Sequence, residues 1–166
     1  MTEPQQPSGI IVRRAVATDV ASLQANSPRP ELNLPALRFS EQEQGAGVLA
    51  VAEVNSVIVG SGFLDFADEE LTPEVKNLYV NADARRLGVG KAVWSWLEEQ
   101  ARAADYKQVF LAVDPNNEAA IPLFINMGYS PTGNHMFVDN PDRTQVADPS
   151  RASNHYAIYQ KSLTTR

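Results

Sequence analysis

The residues with the clearest chemical character stand between positions 74 and 91. Leu78-Tyr79-Val80 reads as the end of a β-strand, residues 81–84 form a short connector, and Arg85-Arg86-Leu87-Gly88-Val89-Gly90-Lys91 opens into a long amphipathic segment. Gly88 and Gly90 carry no Cβ, so the backbone there can turn tightly and let a ligand approach its N–H groups. The first N–H groups of a helix have no internal partner, and the helix dipole makes that end partly positive. With the side chains of Arg85, Arg86 and Lys91 added, the stretch describes a socket for a phosphorylated ligand. An ordinary strand-to-helix turn is the other reading of the glycines.

Two familiar phosphate loops can be tested against these letters. A P-loop needs a glycine five residues before Gly-Lys and a hydroxyl directly after it. Arg85 and Ala92 occupy those positions, so that motif fails twice. A dinucleotide fingerprint needs G-x-G-x-x-G/A, but Val93 stands at its last position. The pattern that fits is Arg-x-x-Gly-x-Gly at Arg85, Gly88 and Gly90, directly after L-Y-V.

Three pieces in order, L-Y-V at 78–80, R-R-L-G-V-G at 85–90 and N-E-A-A-I-P-L-F-I-N-M-G-Y at 117–129, resemble the GNAT superfamily of N-acetyltransferases. The resemblance runs from about residue 10 to 162. It implies an α/β (α+β) fold: a mixed, mostly antiparallel sheet of six to seven strands with one splayed parallel pair, flanked by about four helices. It also implies acetyl-CoA as cosubstrate, held by Leu78, Tyr79, Val80, the loop Arg85, Arg86, Leu87, Gly88, Val89, Gly90 and Lys91, and by Asn117 and Phe124. Asn117 has a second, compatible reading as a helix cap. A β-bulge near Lys76 or Asn77 is implied too, splaying this strand from the next.

Acetyl transfer to an amine requires a polarised carbonyl, a deprotonated nucleophile and a leaving thiolate. Backbone N–H groups near Leu78 to Val80 could polarise a thioester carbonyl. An alkylammonium has a pKa of about 10.4, so a base is needed. Glu74 matches a glutamate in the family's E-x-x-x-L-Y-V pattern; a structural carboxylate is the other reading. Where the family commonly has a tyrosine as general acid, this chain has Leu123-Phe124. A thiol of pKa about 8.5 leaves tolerably well unprotonated, so lost acid help need not abolish transfer; water, Tyr79 or Tyr129 could also substitute. A non-catalytic acyl-CoA-binding protein of the same fold is the alternative function, and a nucleotide-phosphate enzyme a second one.

Composition narrows the remaining choices. The chain has 166 residues, which suggests one domain over 1–166, and its 43% apolar content suits a globular protein. No cysteine is present, and His135 and His155 lack metal or triad spacing, so no metal site is expected. A net charge of −6 argues against general nucleic-acid binding. No apolar run is long enough to span a membrane, and the start M-T-E-P-Q-Q-P is no signal peptide, so a cytoplasmic location is the default. The expected partners are acetyl-CoA and an amine acceptor, with the chain a monomer or homodimer.

The elements that must position these groups can be laid out in order. Residues 1–8 read as a loose tail and Ile10 to Arg14 as a first strand. Thr18 can cap a helix bearing Asp19, Val20 and Leu23, and Asn26 to Pro35, with three prolines, reads as irregular. A short helix over Ala36 to Gln44 places Arg38 and Phe39 either toward substrate or as surface cation and core aromatic. Val48–Glu53 and Val57–Phe66 read as a hairpin, with Gly60 and Gly62 marking close packing. Asp65, Asp68, Glu69, Glu70 and Glu74 form either a solvated turn or an acidic lip that draws an ammonium. Residues 74–80 and 107–113, joined by a helix over 90–104 with Trp96 on its apolar side, make a parallel pair. A helix from Asn117 ends at Gly128. Tyr129–Val138 and Asn154–Leu163 close the sheet around a long polar loop at 139–153.

Overall fold

Seven segments form strands; apolar residues alternate or cluster along six of them, and the other, Ser130–Phe137, is mostly polar. The structure is a computed structural model that describes residues 9–27, 30–67, 71–113, 121–137 and 155–164. The strands are β1 (Ile11–Arg14), β2 (Gly47–Val54), β3 (Val57–Asp65), β4 (Glu74–Val80), β5 (Gln108–Val113), β6 (Ser130–Phe137) and β7 (His155–Ser162). The helices are α1 (Asp19–Ala25), α2 (Leu34–Glu43), α3 (Val89–Ala103) and α4 (Ile121–Asn126). One sheet runs β1-β2-β3-β4-β5-β7-β6. Its pairs are antiparallel except β4 and β5. The expected mixed sheet with one parallel pair is therefore observed.

Local chemistry explains most boundaries. Asn55 and Ser56 join β2 to β3 with φ of 52° and 68°. Two consecutive left-handed residues match the twist of a two-residue hairpin. Gly128, at φ 98°, ends α4. There Tyr129 N–H donates to Phe124 O and Gly128 N–H to Ile125 O, both at 3.0 Å, the double closure of a Schellman cap. Two expectations need correction. Thr18 makes no side-chain cap; Asp19 instead accepts the Val16 N–H at 2.7 Å and Arg13 NH1 at 2.8 Å. Residues 30–35 are not irregular throughout: Pro30–Leu32 is a 3-10 turn, and Pro35 lies in the first turn of α2, where its missing N–H costs nothing.

α3 packs one face of the sheet. Val89, Val93, Leu97 and Ala101, four apart, are all buried, and Trp94 and Glu98 extend the stripe. Trp96, expected in the core, is only half-buried, while Trp94 is the fully enclosed indole. A Cβ on Gly62 would stand 2.9 Å from Val93 Cγ1, and one on Gly60 would stand 2.8 Å from Val89 Cγ1 and 3.0 Å from Tyr79 O. The helix seats directly on β3 because these two residues have no side chains. On the opposite face α1 and α2 cover Leu49, Val51 and Phe63, with Leu23 and Phe39 between them. Each fully buried side chain of this kind stabilises the fold by about 1.5–3 kcal/mol. No described helix is long and apolar enough to cross a membrane.

Candidate functional site

The site is set by how β4 leaves its neighbours. Against β3 the register runs Asp65 with Glu74, Leu64 with Val75 and Phe63 with Lys76, then resumes at Ser61 with Tyr79. Two steps on β3 thus oppose three on β4, a single-residue bulge in the expected place. Asn77 carries it, at φ 59°. Asparagine tolerates the left-handed region better than most residues. The bulge restores Leu78 to the face of Val75, so both pack with the α3 cluster. On its other edge β4 meets β5 at one register pair, Glu74 with Phe110, supported by Phe110 N–H donating to Pro73 O at 3.0 Å. Beyond that point no ladder pair joins the two strands among the described residues. The result is a wedge, closed at Glu74 and walled along β4 by the backbone of residues 78–80.

A positively biased turn lies at the end of that wall. Asn81 N–H donates to Val59 O at 2.8 Å, a 3-10 turn spans Ala82–Ala84, and Arg85 Nε donates to Val80 O at 3.2 Å. Arg86 is held at φ 71° and Gly88 at φ 86°. Gly88 is the N-cap of α3, with no side-chain cap and no acidic residue in the first turn. The helix therefore presents its first N–H groups without an internal acceptor. Arg85, Arg86 and Lys91 are exposed, and Leu87 is 44% exposed. Val89 is 1% exposed and packs inward against Gly60 of β3. Gly90 faces Val80 and Leu78, where a Cβ would make ordinary contacts of 3.6 and 3.8 Å. Tyr79 lies half-buried on the opposite face.

The remaining candidates separate. Glu74 is 0% exposed, and Asp65 is buried in a pair with Lys76, Oδ2 to Nζ 2.8 Å. Neither belongs to an acidic lip, because the strand ladder encloses both; Asp68, Glu69 and Glu70 lie outside the described residues. Asn117 and the 139–153 loop also lie outside them. Phe124 is 2% exposed, its ring 5.2 Å from that of Trp94. Tyr129 is not available as an acid. Its hydroxyl donates to Glu98 Oε2 at 2.7 Å and accepts from Trp94 Nε1 at 2.8 Å. Burial, followed by the Glu98 charge, pushes its pKa well above the usual tyrosine range. Lys161 Nζ completes this group at 2.9 Å from Glu98 Oε1.

Arg38 is the residue that sequence reasoning misplaced. It is neither a surface cation nor a free substrate contact: at 4% exposure its guanidinium lies 5.1 Å from the centre of the Phe63 ring. It donates to Asn77 Oδ1 and to Glu41 Oε1, each at 2.7 Å. Its signal in the sequence was slight, a lone arginine between Leu37 and Phe39.

Comparison with known proteins agrees with this geometry. The model of the acetyltransferase (GNAT) family matches residues 17–129. No curated protein matches the chain. Among solved structures, an N-acetyltransferase from Staphylococcus aureus Mu50 superposes with TM-score 0.72 at 19% identity, covering 95% of this chain and 100% of that one. The ribosomal-protein-S18-alanine N-acetyltransferase of Escherichia coli gives 0.70 at 15%, covering 95% and 96%. A GNAT family acetyltransferase from Elizabethkingia anophelis, solved with acetyl-CoA bound, gives 0.66 at 19%, covering 93% and 98%.

Proposed function

The chain belongs to the acetyltransferase (GNAT) family, and on that premise we propose that it moves the acetyl group of acetyl-CoA to a primary amine within a ternary complex. The observation that carries the reading is the wedge, in which β4 and β5 share the single pair Glu74–Phe110 beside an uncapped, cation-flanked helix start. An extended amide chain such as pantetheine fits along bare strand backbone, and a diphosphate fits the N–H groups of α3. In this reading the main chain of Leu78, Tyr79 and Val80 and the loop Arg85–Lys91 hold the cosubstrate. Asn117 completes its seat, and Phe124, 2% exposed and packed on Trp94, supports that seat from the core. Residues 1–166 act as one domain.

The chemistry assigned to the chain is limited and balanced. The amine nitrogen bonds to the thioester carbonyl carbon, the C–S bond breaks, and the sulfur leaves with the electron pair. N–H groups at the bulge stabilise the oxyanion formed on the way. Glu74 takes the proton lost by the amine, directly or through water. With Phe124 unable to donate and Tyr129 locked onto Glu98, the thiolate leaves without a proton from either. That observation also favours a second reading, an acyl-CoA-binding protein without efficient turnover.

One experiment separates the readings. Purified protein is examined by native mass spectrometry for bound CoA, then assayed for CoA release with acetyl-CoA and a panel of amines. Bound CoA with amine-dependent release is expected. Binding without release supports the second reading, and stabilisation by ATP or NAD but not CoA overturns both.

A further inference from the structure

Arg38 and Gln42 lie one turn apart on α2, both buried, on the side that an amphipathic helix normally fills with apolar residues. Gln42 ties the helix down. Its Nε2 donates to Ala15 O at 3.0 Å and its Oε1 accepts the Leu49 N–H at 2.8 Å, which seats α2 on β2. Arg38 reaches further. Its guanidinium lies over Phe63 on β3, and its Nε meets Asn77 on β4, two strands from β2. At about 4.8 Å per strand, that reach takes a long side chain.

The point it reaches is where the ladder slips. Ser61 pairs with Tyr79 and Phe63 with Lys76, so Asn77 and Leu78 both stand against Gly62. These two residues are held from opposite faces of the sheet. On the α3 side, Leu78 Cδ1 lies 3.5 Å from where a Gly62 Cβ would be, within the cluster that includes Val93 and Leu97. On the α2 side, Asn77 Oδ1 accepts from a guanidinium that is itself fixed twice, by Glu41 Oε1 at 2.7 Å and by the Phe63 ring. Phe63 is 0% exposed among Leu23, Leu49 and Val51, so the donor rests on a packed ring.

A bulge can slide along its strand. A one-residue change of register moves every following side chain to the other face, and the main-chain N–H groups turn with it. The left-handed backbone at Asn77, φ 59°, marks one position for the bulge. A charge-assisted bond to the Asn77 amide holds that position more firmly than a neutral one. Lysine is no substitute, because a point charge lacks the planar fork that serves Asn77, Glu41 and the ring together. Resting on the acetyltransferase reading, we propose that Arg38 is a positioning residue: through Asn77 it fixes the bulge, and so aims the N–H groups of residues 78–80 at the thioester carbonyl of acetyl-CoA. Arg38 itself touches neither substrate.

The test uses the full chain loaded with acetyl-CoA isotopically labelled at the acetyl carbonyl carbon. Hydrogen bonding to a carbonyl lowers its stretching frequency, so isotope-edited infrared difference spectra report on the donors directly. In the wild type the bound band should lie below that of free acetyl-CoA. Arg38→Met should lose most of that displacement, while calorimetry shows acetyl-CoA affinity little changed because the loop at the α3 start is untouched. Asn77→Gly permits the left-handed backbone but lacks Oδ1, and should lose the displacement to the same extent. It also carries the test where Arg38→Met fails to fold. Tyr129→Phe, which removes the acceptor of Trp94 Nε1 elsewhere in the core, controls for lost stability and should keep the wild-type band. A displacement kept in either bulge variant, with only the urea midpoint lowered, overturns the proposal and leaves Arg38 an architectural residue. So does loss of the band in Tyr129→Phe, a collapse of acetyl-CoA affinity in either bulge variant, or a wild-type band that is not displaced. Each of these leaves the acetyltransferase reading intact. Failure of the wild type to bind acetyl-CoA overturns the underlying reading instead.

Discussion

Arg38 Nε on α2 donates to Asn77 Oδ1 at the bulge of β4 across 2.7 Å. The bond ties the helix covering one face of the sheet to the residue whose left-handed backbone opens the wedge. Removing the guanidinium while keeping the aliphatic stem, as in Arg38→Met, should lower stability by about 1.5–3 kcal/mol, the usual range for a hydrogen bond to a charged group. Asn77→Val, with a β-branched residue at φ 59°, should lose about 1–2 kcal/mol more than Asn77→Gly. Urea titration checks both. Equal midpoints for the two Asn77 variants would show that the bulge does not need that backbone conformation.

Arg86 makes stability and binding move in opposite directions. Its φ of 71° is unfavourable for a side chain bearing a Cβ. Arg86→Gly should therefore hold or raise stability, by up to about 1 kcal/mol after glycine's entropy is counted. Losing an exposed cation beside the α3 start should weaken acetyl-CoA binding several-fold, and the deficit should shrink as salt screens the wild-type interaction. Calorimetry at two ionic strengths, beside a thermal melt, reads both signs.

Tyr129 offers a pH test. Its folded pKa is raised by burial and by Glu98, so the unfolded chain loses this proton first, near pH 10. The Tyr129 contribution is fully present below that pH and declines as pH rises through the folded pKa. Tyr129→Phe should cost about 1–3 kcal/mol at neutral pH, because Trp94 Nε1 loses its acceptor. The gap between wild type and variant should narrow above about pH 10. The variant should keep wild-type acetyl transfer, since the locked hydroxyl does no chemistry; a large fall in kcat with unchanged acetyl-CoA KM would return Tyr129 to the reaction.

Legibility in the sequence followed locality. The hairpin at Asn55-Ser56, the glycine end of α4 and the β4 strand followed by Arg-x-x-Gly-x-Gly depend on neighbours within a few residues, and all stood in the expected places. The bulge at Asn77 came through family likeness, and the register of β3 against β4 carries it. What did not show was pairing across the sheet. Asp65 with Lys76, Arg38 with Asn77, and Glu98 with Tyr129 and Lys161 join charged or polar residues from distant segments. Read singly, each of these residues has the composition of a solvated surface. Trp94 was hidden similarly, since Glu98, one turn on, breaks the apolar pattern that would have placed it in the core.

Glu74 decides between reaction and architecture. It is 0% exposed at the closed end of the wedge, paired in register with Phe110 on one side and Asp65 on the other. Glu74→Gln preserves the shape and removes the base. If Glu74 accepts the amine proton, kcat should fall about 10²-fold or more, with acetyl-CoA affinity unchanged. The deficit should also shrink as pH rises toward the amine's own pKa of about 10.4, where free amine forms without help. A structural carboxylate predicts a different result: a shifted urea midpoint with kcat intact and no pH-dependent recovery. Steady-state rates from pH 7 to 10, measured on variant and wild type of known stability, distinguish the two, and an undiminished kcat at pH 7 would remove Glu74 from the mechanism.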